Sequence, residues 1–320
     1  EKVKHLMPFS EQNTCYSPFS LMHVLLLLSF LSNDASILEM LNILDFDQTQ
    51  MTNLSNILQN DKSVSLASNI FHHNLKTINQ SFLQHLQKSF LIVPQQLQSA
   101  SQVNKWCSDH TNNKIREIIS DVSNLQTILI SAIHFKAQWK EKFDSQQTFQ
   151  KQFYGFFKES THQYMYARSK FRYQQTKTAQ ILQLDYQNSN IKAHLILPLI
   201  STQQSLIQCL EAENISIQPG WQSVTVQIPK IQLENQFDLT NILKQLNVTK
   251  IFNQIQCQET LGEMLKIDQI VQKTFIEIDE EGTEAAAVTA VMARTGSIIK
   301  HNEQFICDRP FWFLLLEEGA

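Results

Sequence analysis

The sequence lacks the short motifs that mark the common enzyme classes. It contains no G-x-S-x-G, no H-E-x-x-H, no phosphate-binding loop and no G-x-G-x-x-G segment. Asp and Glu residues occur throughout the chain, but their spacing singles out no acid–base pair. An enzyme remains an open alternative because catalytic triads assemble from residues that are distant in sequence. We nevertheless expect that the protein is not an enzyme, and no catalytic residue is assigned.

Cysteine and glycine are also scarce. The chain has six glycines, and its five cysteines are odd in number and form no C-x-x-C pair. This spacing favours free core thiols over a zinc site or a disulfide framework. The cysteines are Cys15, Cys107, Cys209, Cys257 and Cys307. We therefore assign no metal ligands and expect no cofactor.

Long apolar runs and a large charge excess are missing as well. The most apolar stretch, Leu21–Leu31, contains His23 and Ser29, and it is shorter than the roughly 18 apolar residues that indicate a transmembrane helix. The formal net charge is −4 and the pI is near 6.2. These values argue against nucleic acid or an anionic membrane as the main partner.

Apolar residues make up 42% of the 320 residues, which is enough for a large core. Pro18 suits the first position of a helix that Ser17 would cap. Apolar spacing also predicts a helix at 35–44, and a short helix is expected at 51–60. The nearly continuous apolar run Thr127–Phe135 predicts a central strand that is buried on both faces. Because no linker or composition break divides the chain, we predict a single domain over 1–320.

One segment near the end of the chain, Glu280–Val291, has an ambiguous composition. It reads E-E-G-T-E-A-A-A-V-T-A-V, so alanines that favour a helix stand beside β-branched residues that favour a strand. No proline occurs between Gly282 and Arg309. As a strand it would place only small or β-branched side chains on one face, namely Thr283, Ala285, Ala287, Thr289 and Val291. A segment that fits both an exposed loop and a central strand suits a conformational switch.

This segment resembles the reactive-loop hinge of the serpins, E-E-G-T-E-A-A-A-x-T-A, without a break from Glu280 to Ala287 and again at Thr289. The later stretch Phe305–Phe313, F-I-C-D-R-P-F-W-F, resembles the strand that follows the loop in that family. The stretch Ile130–Trp139, I-S-A-I-H-F-K-A-Q-W, is similar to the family's L-V-N-A-I-Y-F-K-G-x-W. The resemblance extends from about Ser17 to Phe313.

The resemblance implies an α+β fold, the serpin fold, with mixed and mostly antiparallel β-sheets, about eight or nine helices and an exposed reactive-centre loop at about 280–300. The family's last strand would lie beyond Ala320. The implied activity is protease inhibition by a suicide substrate, in which the target cleaves the loop and is trapped as an acyl-enzyme when the loop inserts as a strand.

The implied partner is a serine endopeptidase, or alternatively a cysteine endopeptidase, held in a covalent complex. We expect a monomer that binds neither nucleic acid nor membrane, and an extracellular location in preference to a cytoplasmic one. The alternative is a non-inhibitory serpin that acts as a binding, carrier or storage protein. Members of that kind tend to carry bulky or proline residues in the hinge, and none occurs here.

The resemblance also assigns roles within the hinge. Gly282 is the expected pivot, and Thr283 is the expected first side chain to become buried on insertion, where a charge or a proline would block the movement. Glu280 is expected at the top of the sheet beside Lys230, either as an exposed pair worth under about 1 kcal/mol or as an anchor for the start of the loop. The full hinge set is Glu280, Glu281, Gly282, Thr283, Glu284, Ala285, Ala286, Ala287 and Thr289.

A second set matches the family's sheet-opening region, where polar side chains let the strands of the main sheet part. Its members are Ser17, Ser20, Ser131, Gln272, Trp139 and Lys230. Two of them depart from the family pattern, because Ser131 stands where Asn is usual and Gln272 stands where His is usual. Serine and glutamine can still satisfy buried polar groups.

The family's usual spacing from the hinge glycine places the cleaved bond between Gly296 and Ser297. Two alternatives remain. Cleavage after Thr295 would suit a papain-like protease that reads Arg294 in the next pocket. Cleavage after Arg294 would suit a tryptic pocket but would leave a shorter arm to insert.

Overall fold

The computed structural model describes residues 13–31, 63–75, 84, 86–88, 90–212, 219–245, 248–253, 266–283 and 303–317. They form two compact units, one from the described residues of Thr14–Phe135 and Leu233–Phe275, the other from those of Lys136–Gln232 and Ile276–Ala320. The chain passes between the units inside or beside strands, so no linker marks the division in the sequence. The single domain over 1–320 stays a prediction.

Strands dominate the described residues. They are β1 Val64–His72, β2 Gln95–Gln96, β3 Thr127–Phe135, β4 Ala137–Gln138, β5 Phe149–Tyr154, β6 Glu159–Gln175, β7 Ala179–Asp185, β8 Ile191–Pro198, β9 Gly220–Pro229, β10 Ile231–Asp238, β11 Gln269–Ile278, β12 Gly282–Thr283, β13 Glu303–Ile306 and β14 Trp312–Glu317. The α-helices with both ends defined are Pro18–Leu31, Ala100–His110, Gln203–Ala212 and Leu239–Gln245, and short 3₁₀ turns occur at Ser145–Gln147 and Lys250–Phe252. The helices predicted at 35–44 and 51–60 lie outside the described residues.

The first unit is built on a sheet with the strand order β2-β1-β3-β11, in which β10 also pairs with β11. β1 is antiparallel to β3, whereas β3 and β11 are parallel and pair directly from Ile128–Gln269 to His134–Phe275. The predicted central strand Thr127–Phe135 is confirmed with the same bounds. Its apolar residues alternate between two clusters, with Leu129 in one and Ile128 and Ile130 in the other.

Helices cover both faces of this sheet. The helices Pro18–Leu31 and Leu239–Gln245 contribute to the cluster that contains Leu129, and Ala100–His110 contributes to the other cluster. The first helix begins at Pro18 as predicted, and the Ser17 hydroxyl caps it by accepting a 3.1 Å hydrogen bond from the backbone N–H of Ser20.

The second unit is built on a sheet with the order β13-β9-β6-β7-β8-β14, and β5 pairs with the first part of β6. All neighbouring pairs are antiparallel except β13 with β9. The helix Gln203–Ala212 packs on this sheet through Leu206, Cys209 and Leu210. Mixed and mostly antiparallel sheets with covering helices confirm the predicted α+β class.

Four of the five cysteines lie within the described residues, and all four are free thiols. No described helix combines the length and the apolar character needed to cross a bilayer. Nor do the described ranges bring three or more His, Cys, Asp or Glu side chains together in a cluster that could hold a metal ion.

Candidate functional site

The predicted hinge begins as a strand of the second unit. β12, which is Gly282–Thr283, lies between two neighbours: Thr283 pairs with Ile278 of β11, and both β12 residues pair with β4. All these pairings are antiparallel. The start of the loop therefore already occupies a strand position with a partner on each side. Nine of the predicted site residues lie outside the described residues. They are the hinge residues Glu284, Ala285, Ala286, Ala287 and Thr289, and the residues at or near the predicted cleavage site, Arg294, Thr295, Gly296 and Ser297.

Close approach of β4 explains why glycine stands at position 282. A Cβ added to Gly282 would lie 2.1 Å from the carbonyl oxygen of Ala137 and 2.6 Å from the Cα of Gln138. Both contacts involve backbone, so neither neighbour can rotate away. The φ of +156° is a further obstacle to any other residue. The sequence suggested backbone freedom as the reason for glycine, and the structure adds close packing.

Thr283 is fully buried, at 0% exposure. Its Oγ1 lies 2.7 Å from the hydroxyl of Tyr186, whose ring stacks on Trp139 with centroids 4.5 Å apart. Burial raises the pKa of the Tyr186 hydroxyl, so the phenol stays neutral and can donate to Thr283. Thr283 was the expected first side chain to become buried on insertion, and in this structure it is already buried.

Trp139, which stacks on Tyr186, also forms hydrogen bonds with the backbone of the hinge. Its indole Nε1 donates to the carbonyl oxygen of Asp279 at 2.9 Å, and its backbone N–H donates to the carbonyl oxygen of Glu281 at 2.9 Å. The ring itself is buried and also meets Phe143 edge-on. The sequence assigned Trp139 to the sheet-opening set, and the structure places it directly against the residues that lead into β12.

Glu280 is held by two side chains. Its carboxylate accepts a 2.8 Å hydrogen bond from Lys230 Nζ and a 2.5 Å bond from the Thr148 hydroxyl. Its side chain is only 10% exposed, whereas that of Lys230 is 36% exposed. Burial alone would raise the pKa of Glu280, but the hydrogen bonds from Lys230 and Thr148 outweigh it and lower the pKa. The geometry thus favours an anchor over an exposed surface pair.

A tight turn connects β11 to β12. The Asp279 carboxylate accepts hydrogen bonds from the backbone N–H groups of Glu281 at 2.9 Å and Gly282 at 3.2 Å. Burial, together with the charge of neighbouring Glu280, raises the pKa of Asp279 despite these bonds. Lys142 forms an ion pair with Glu281 on the same turn.

Sequence reasoning missed four of these contacts. Asp279 could have been found, because Asp three positions before Gly is a common turn signature. Tyr186 and Thr148 carried no local signal, since they lie 97 and 132 positions from the residues they bind. Lys142 lies 139 positions from Glu281, so its contact with Glu281 could not be predicted from the local sequence either.

The first unit contains the rest of the sheet-opening set. Ser131 on β3 is central, because its Oγ lies 2.5 Å from the Oγ of Ser20 and 2.9 Å from the Oγ of Ser68. All three residues are buried. Ser68 on β1 was not predicted. We call this group, with Ser17 and Gln272, the serine–glutamine cluster.

Gln272 takes the place of the usual histidine with two hydrogen bonds to the start of the first helix. Its Nε2 donates to the carbonyl oxygen of Ser17 at 2.8 Å, and its Oε1 accepts from the Ser17 N–H at 3.4 Å. Gln272 is also the β11 residue that pairs with Ser131 of β3. The cluster is therefore neutral and contains no titratable side chain.

Comparisons with known proteins agree with this architecture. The family model described as "Serpin (serine protease inhibitor)" matches residues 3–320. Antitrypsin of Bombyx mori is 28% identical over 335 residues, which cover 95% of this chain and 85% of that protein.

Solved structures share the fold. Serpin48 of the insect Tenebrio molitor matches with a TM-score of 0.86 and 24% identity, covering 97% of this chain and 90% of that one. Human thyroxine-binding globulin matches with a TM-score of 0.83 and 23% identity over the same shares. The family match across nearly the whole sequence means that the chain belongs to the serpin family.

Proposed function

We propose that this chain inhibits a serine endopeptidase as a suicide substrate. The observation that carries the proposal is the position of β12. Near the start of the loop, Gly282 and Thr283 already pair with β4, Thr283 also pairs with β11 on the other side, and Thr283 is already buried. The residues that follow are small and free of proline, so their sequence is compatible with extending the same strand.

The target protease would supply the covalent chemistry. Its serine Oγ attacks the carbonyl carbon of the peptide bond that is cleaved in the loop. The C–N bond of that peptide then breaks, and the leaving amine takes the proton that the protease's base removed from the serine. An ester then joins the protease to the new carboxyl end of the loop. Extension of β12 would pull this ester along before water hydrolyses it, which traps the enzyme.

Insertion would replace one strand pairing with two. β3 and β11 are direct neighbours from Ile128–Gln269 to His134–Phe275, and these pairs must open to admit a strand. The inserted strand would then form backbone hydrogen bonds on both sides, whereas β12 now offers only two residues to its neighbours. Gly282 and Thr283 would act as the fixed start of that strand, and Glu280 with Lys230 as its anchor. The proposed cleavage site remains the bond between Gly296 and Ser297, with cleavage after Thr295 or after Arg294 as alternatives.

The proposal is tested by mixing the protein in turn with trypsin, elastase, subtilisin and a papain-like protease, followed by denaturing gels. A band at the summed mass that survives boiling in detergent is the expected result. Pretreating each serine protease with an irreversible active-site reagent should abolish the band. The mass of the released peptide identifies the bait bond. Clipping of the loop by every protease without any such band would contradict the proposal.

The alternative function, that of a non-inhibitory binding, carrier or storage protein, remains open because the thyroxine-binding globulin structure has the same fold. A binding or carrier protein would be clipped in the loop and would leave all four proteases active. An extracellular location and a monomeric state remain predictions, which secretion assays and sedimentation would test.

A further inference from the structure

His134 of β3 and Phe275 of β11 form the last residue pair of the ladder that joins these two strands, and we call them the seam pair. Three residues beyond Phe275 along β11 lies Ile278, which pairs with Thr283 of β12. Three residues beyond His134 lies Ala137, which pairs with the same threonine. A strand that grew from β12 past Thr283 would therefore approach the seam pair before the rest of the β3–β11 ladder.

The two side chains of the seam pair touch each other across the ladder. Their ring centroids are 5.6 Å apart and the ring planes cross at 61°, which is an edge-to-face contact. His134 is fully buried, and Phe275 belongs to the apolar cluster to which the helix Ala100–His110 contributes. A side-chain contact is thus added to the backbone bonds at this end of the ladder.

A cation from a third element holds the ring of Phe275. Lys114, which follows the helix Ala100–His110, has its Nζ 5.2 Å from the centroid of that ring. Such cation–π contacts are stronger where water is partly excluded, and Phe275 is buried. Lys114 is therefore a positioning residue, because it keeps the ring where His134 can meet it.

The other residue pairs on the same face of the ladder contain no aromatic ring. Lys273 pairs with Ala132, and Val271 pairs with Ile130. These residues alternate along their strands with the same period as the seam pair, so they share its face. The ring contact between β3 and β11 on this face therefore lies at the end that a growing β12 would reach first.

We infer that the seam pair restrains the parting of β3 and β11 and so slows the extension of β12 after the loop is cut. The second half of this inference rests on the proposed inhibitory function, whereas the restraint itself involves no protease. An edge-to-face pair contributes beyond the area that it buries, enough to change a local opening equilibrium about 2- to 12-fold. The intact chain would keep the seam closed, and the backbone bonds gained by a growing strand would overcome the contact.

The first experiment measures hydrogen exchange of the β3 and β11 amides in the full, uncut chain by mass spectrometry. Phe275→Leu keeps the position apolar but removes the ring and both of its contacts, so exchange should become about 5- to 30-fold faster. Urea unfolding gives the global stability of each variant, and only exchange beyond that change is attributed to the seam.

Phe71→Leu is the matched control for this substitution. It also removes a buried ring from an edge-to-face pair of the first unit, in which the centroids of Phe71 and Trp106 are 5.6 Å apart. That pair joins β1 to the helix Ala100–His110 and does not cross from β3 to β11. Once global stability is accounted for, exchange of the β3 and β11 amides should change less than about twofold. Equal exchange in Phe275→Leu and Phe71→Leu would overturn the inference.

A double-mutant cycle separates the seam pair from ordinary core packing. His134→Leu should speed exchange about 2- to 12-fold, but adding it to Phe275→Leu should give less than about a further twofold, because the contact is already lost. Lys114→Met should speed exchange about 2- to 5-fold. Its control is Lys244→Met, which removes a similar cation 5.0 Å from the ring of Phe252. Additive effects of His134→Leu and Phe275→Leu would contradict the inference.

The second experiment uses the protease that leaves the largest clipped fraction of the unaltered chain. Insertion competes with hydrolysis of the ester, so Phe275→Leu should raise the ratio of covalent complex to clipped chain at least about twofold, and Phe71→Leu should not. An unchanged ratio would refute the effect on β12 extension. If the unaltered chain and all variants form no complex with any protease, the proposed function is wrong, and the exchange experiment still decides whether the seam pair restrains the strands.

Discussion

The hinge of the second unit and the serine–glutamine cluster of the first unit hold strands in place by different chemistry. Around β12, charged groups make bonds in addition to the neutral Tyr186–Thr283 and Trp139–Asp279 bonds: Glu280 with Lys230, Glu281 with Lys142, and Asp279 with two backbone N–H groups. In the serine–glutamine cluster, only hydroxyls, an amide and backbone groups take part. We therefore expect the bonds around β12 to respond to pH and salt, and those of the serine–glutamine cluster to be insensitive to both.

The difference matches what each region would have to do during insertion. In the proposed mechanism, the start of the loop would stay fixed while the rest of the strand is added, and charge-assisted hydrogen bonds are the strong ones. The same mechanism would require β3 and β11 to part, and neutral hydroxyl bonds that contribute about 1 kcal/mol each would oppose this only weakly. A neutral cluster also avoids a buried charge that would be left unpaired when the strands separate.

The largest effect should come from His23, a buried neutral side chain of the first helix that would become charged in acid. His23 is 3% exposed, and neither ring nitrogen has a hydrogen-bond partner among the described residues. Burial lowers its pKa from 6.5 to about 4. A lowered pKa means that the stability from the neutral ring is present above pH 6.5 and is lost as the pH falls toward 4.

Between neutral pH and pH 4, the free energy of unfolding should therefore fall by about 3 kcal/mol more in the unaltered chain than in His23→Leu. Urea unfolding at several pH values measures this difference. If the free energy of unfolding changed with pH in the same way for both proteins, burial of a neutral His23 with a lowered pKa would be contradicted.

The next effect concerns the close packing of β12. Gly282→Val should lower the free energy of unfolding by about 2 kcal/mol, because the new side chain would collide with the backbone of β4. Gly220→Ala is the control, since an added Cβ there meets nothing within 4 Å. Equal urea midpoints for these two variants would mean that the hinge does not need glycine.

Removing the anchor charge should have a smaller effect. Glu280→Gln should cost about 1 to 2 kcal/mol because it removes the charge that Lys230 and Thr148 bind, while partly exposed Lys230 can turn to water. Because the pKa of Glu280 is lowered, this contribution should be present above pH 4.5 and should disappear as the pH falls further.

The control for the anchor is Asp109→Asn, in the exposed helical pair with Lys105, whose side chains are 52% and 75% exposed. This change should cost under about 0.5 kcal/mol. If chemical unfolding gave the same cost for both substitutions, Glu280 and Lys230 would be an ordinary surface pair.

The smallest expected effect is that of Ser131→Ala, which removes the central hydroxyl of the serine–glutamine cluster. It should lower the free energy of unfolding by about 1 kcal/mol, and the cost should be the same at pH 6 and pH 8 because no member titrates. Urea unfolding at both pH values tests this. A cost that changes with pH would mean that a titratable group belongs to the cluster.

Local patterns predicted the elements that depend on neighbours in sequence. These elements are β3, whose bounds follow from its apolar run, and the first helix, which starts at Pro18 with Ser17 as its cap. The contacts of Tyr186 with Thr283 and of Thr148 with Glu280 could not be predicted, because the strands alone bring these residues together. That Thr283 is already buried could not be predicted for the same reason, since its burial depends on the partners that β12 finds on both sides.

The most direct test of the account is the thermal unfolding of the intact chain and of the chain cut only within 284–302, with the cut position confirmed by mass. If the cut loop extends β12 into a full strand, the unfolding midpoint should rise by at least about 15 °C. A change of less than about 2 °C would show that the loop does not insert, and the proposed inhibitory mechanism would then be wrong.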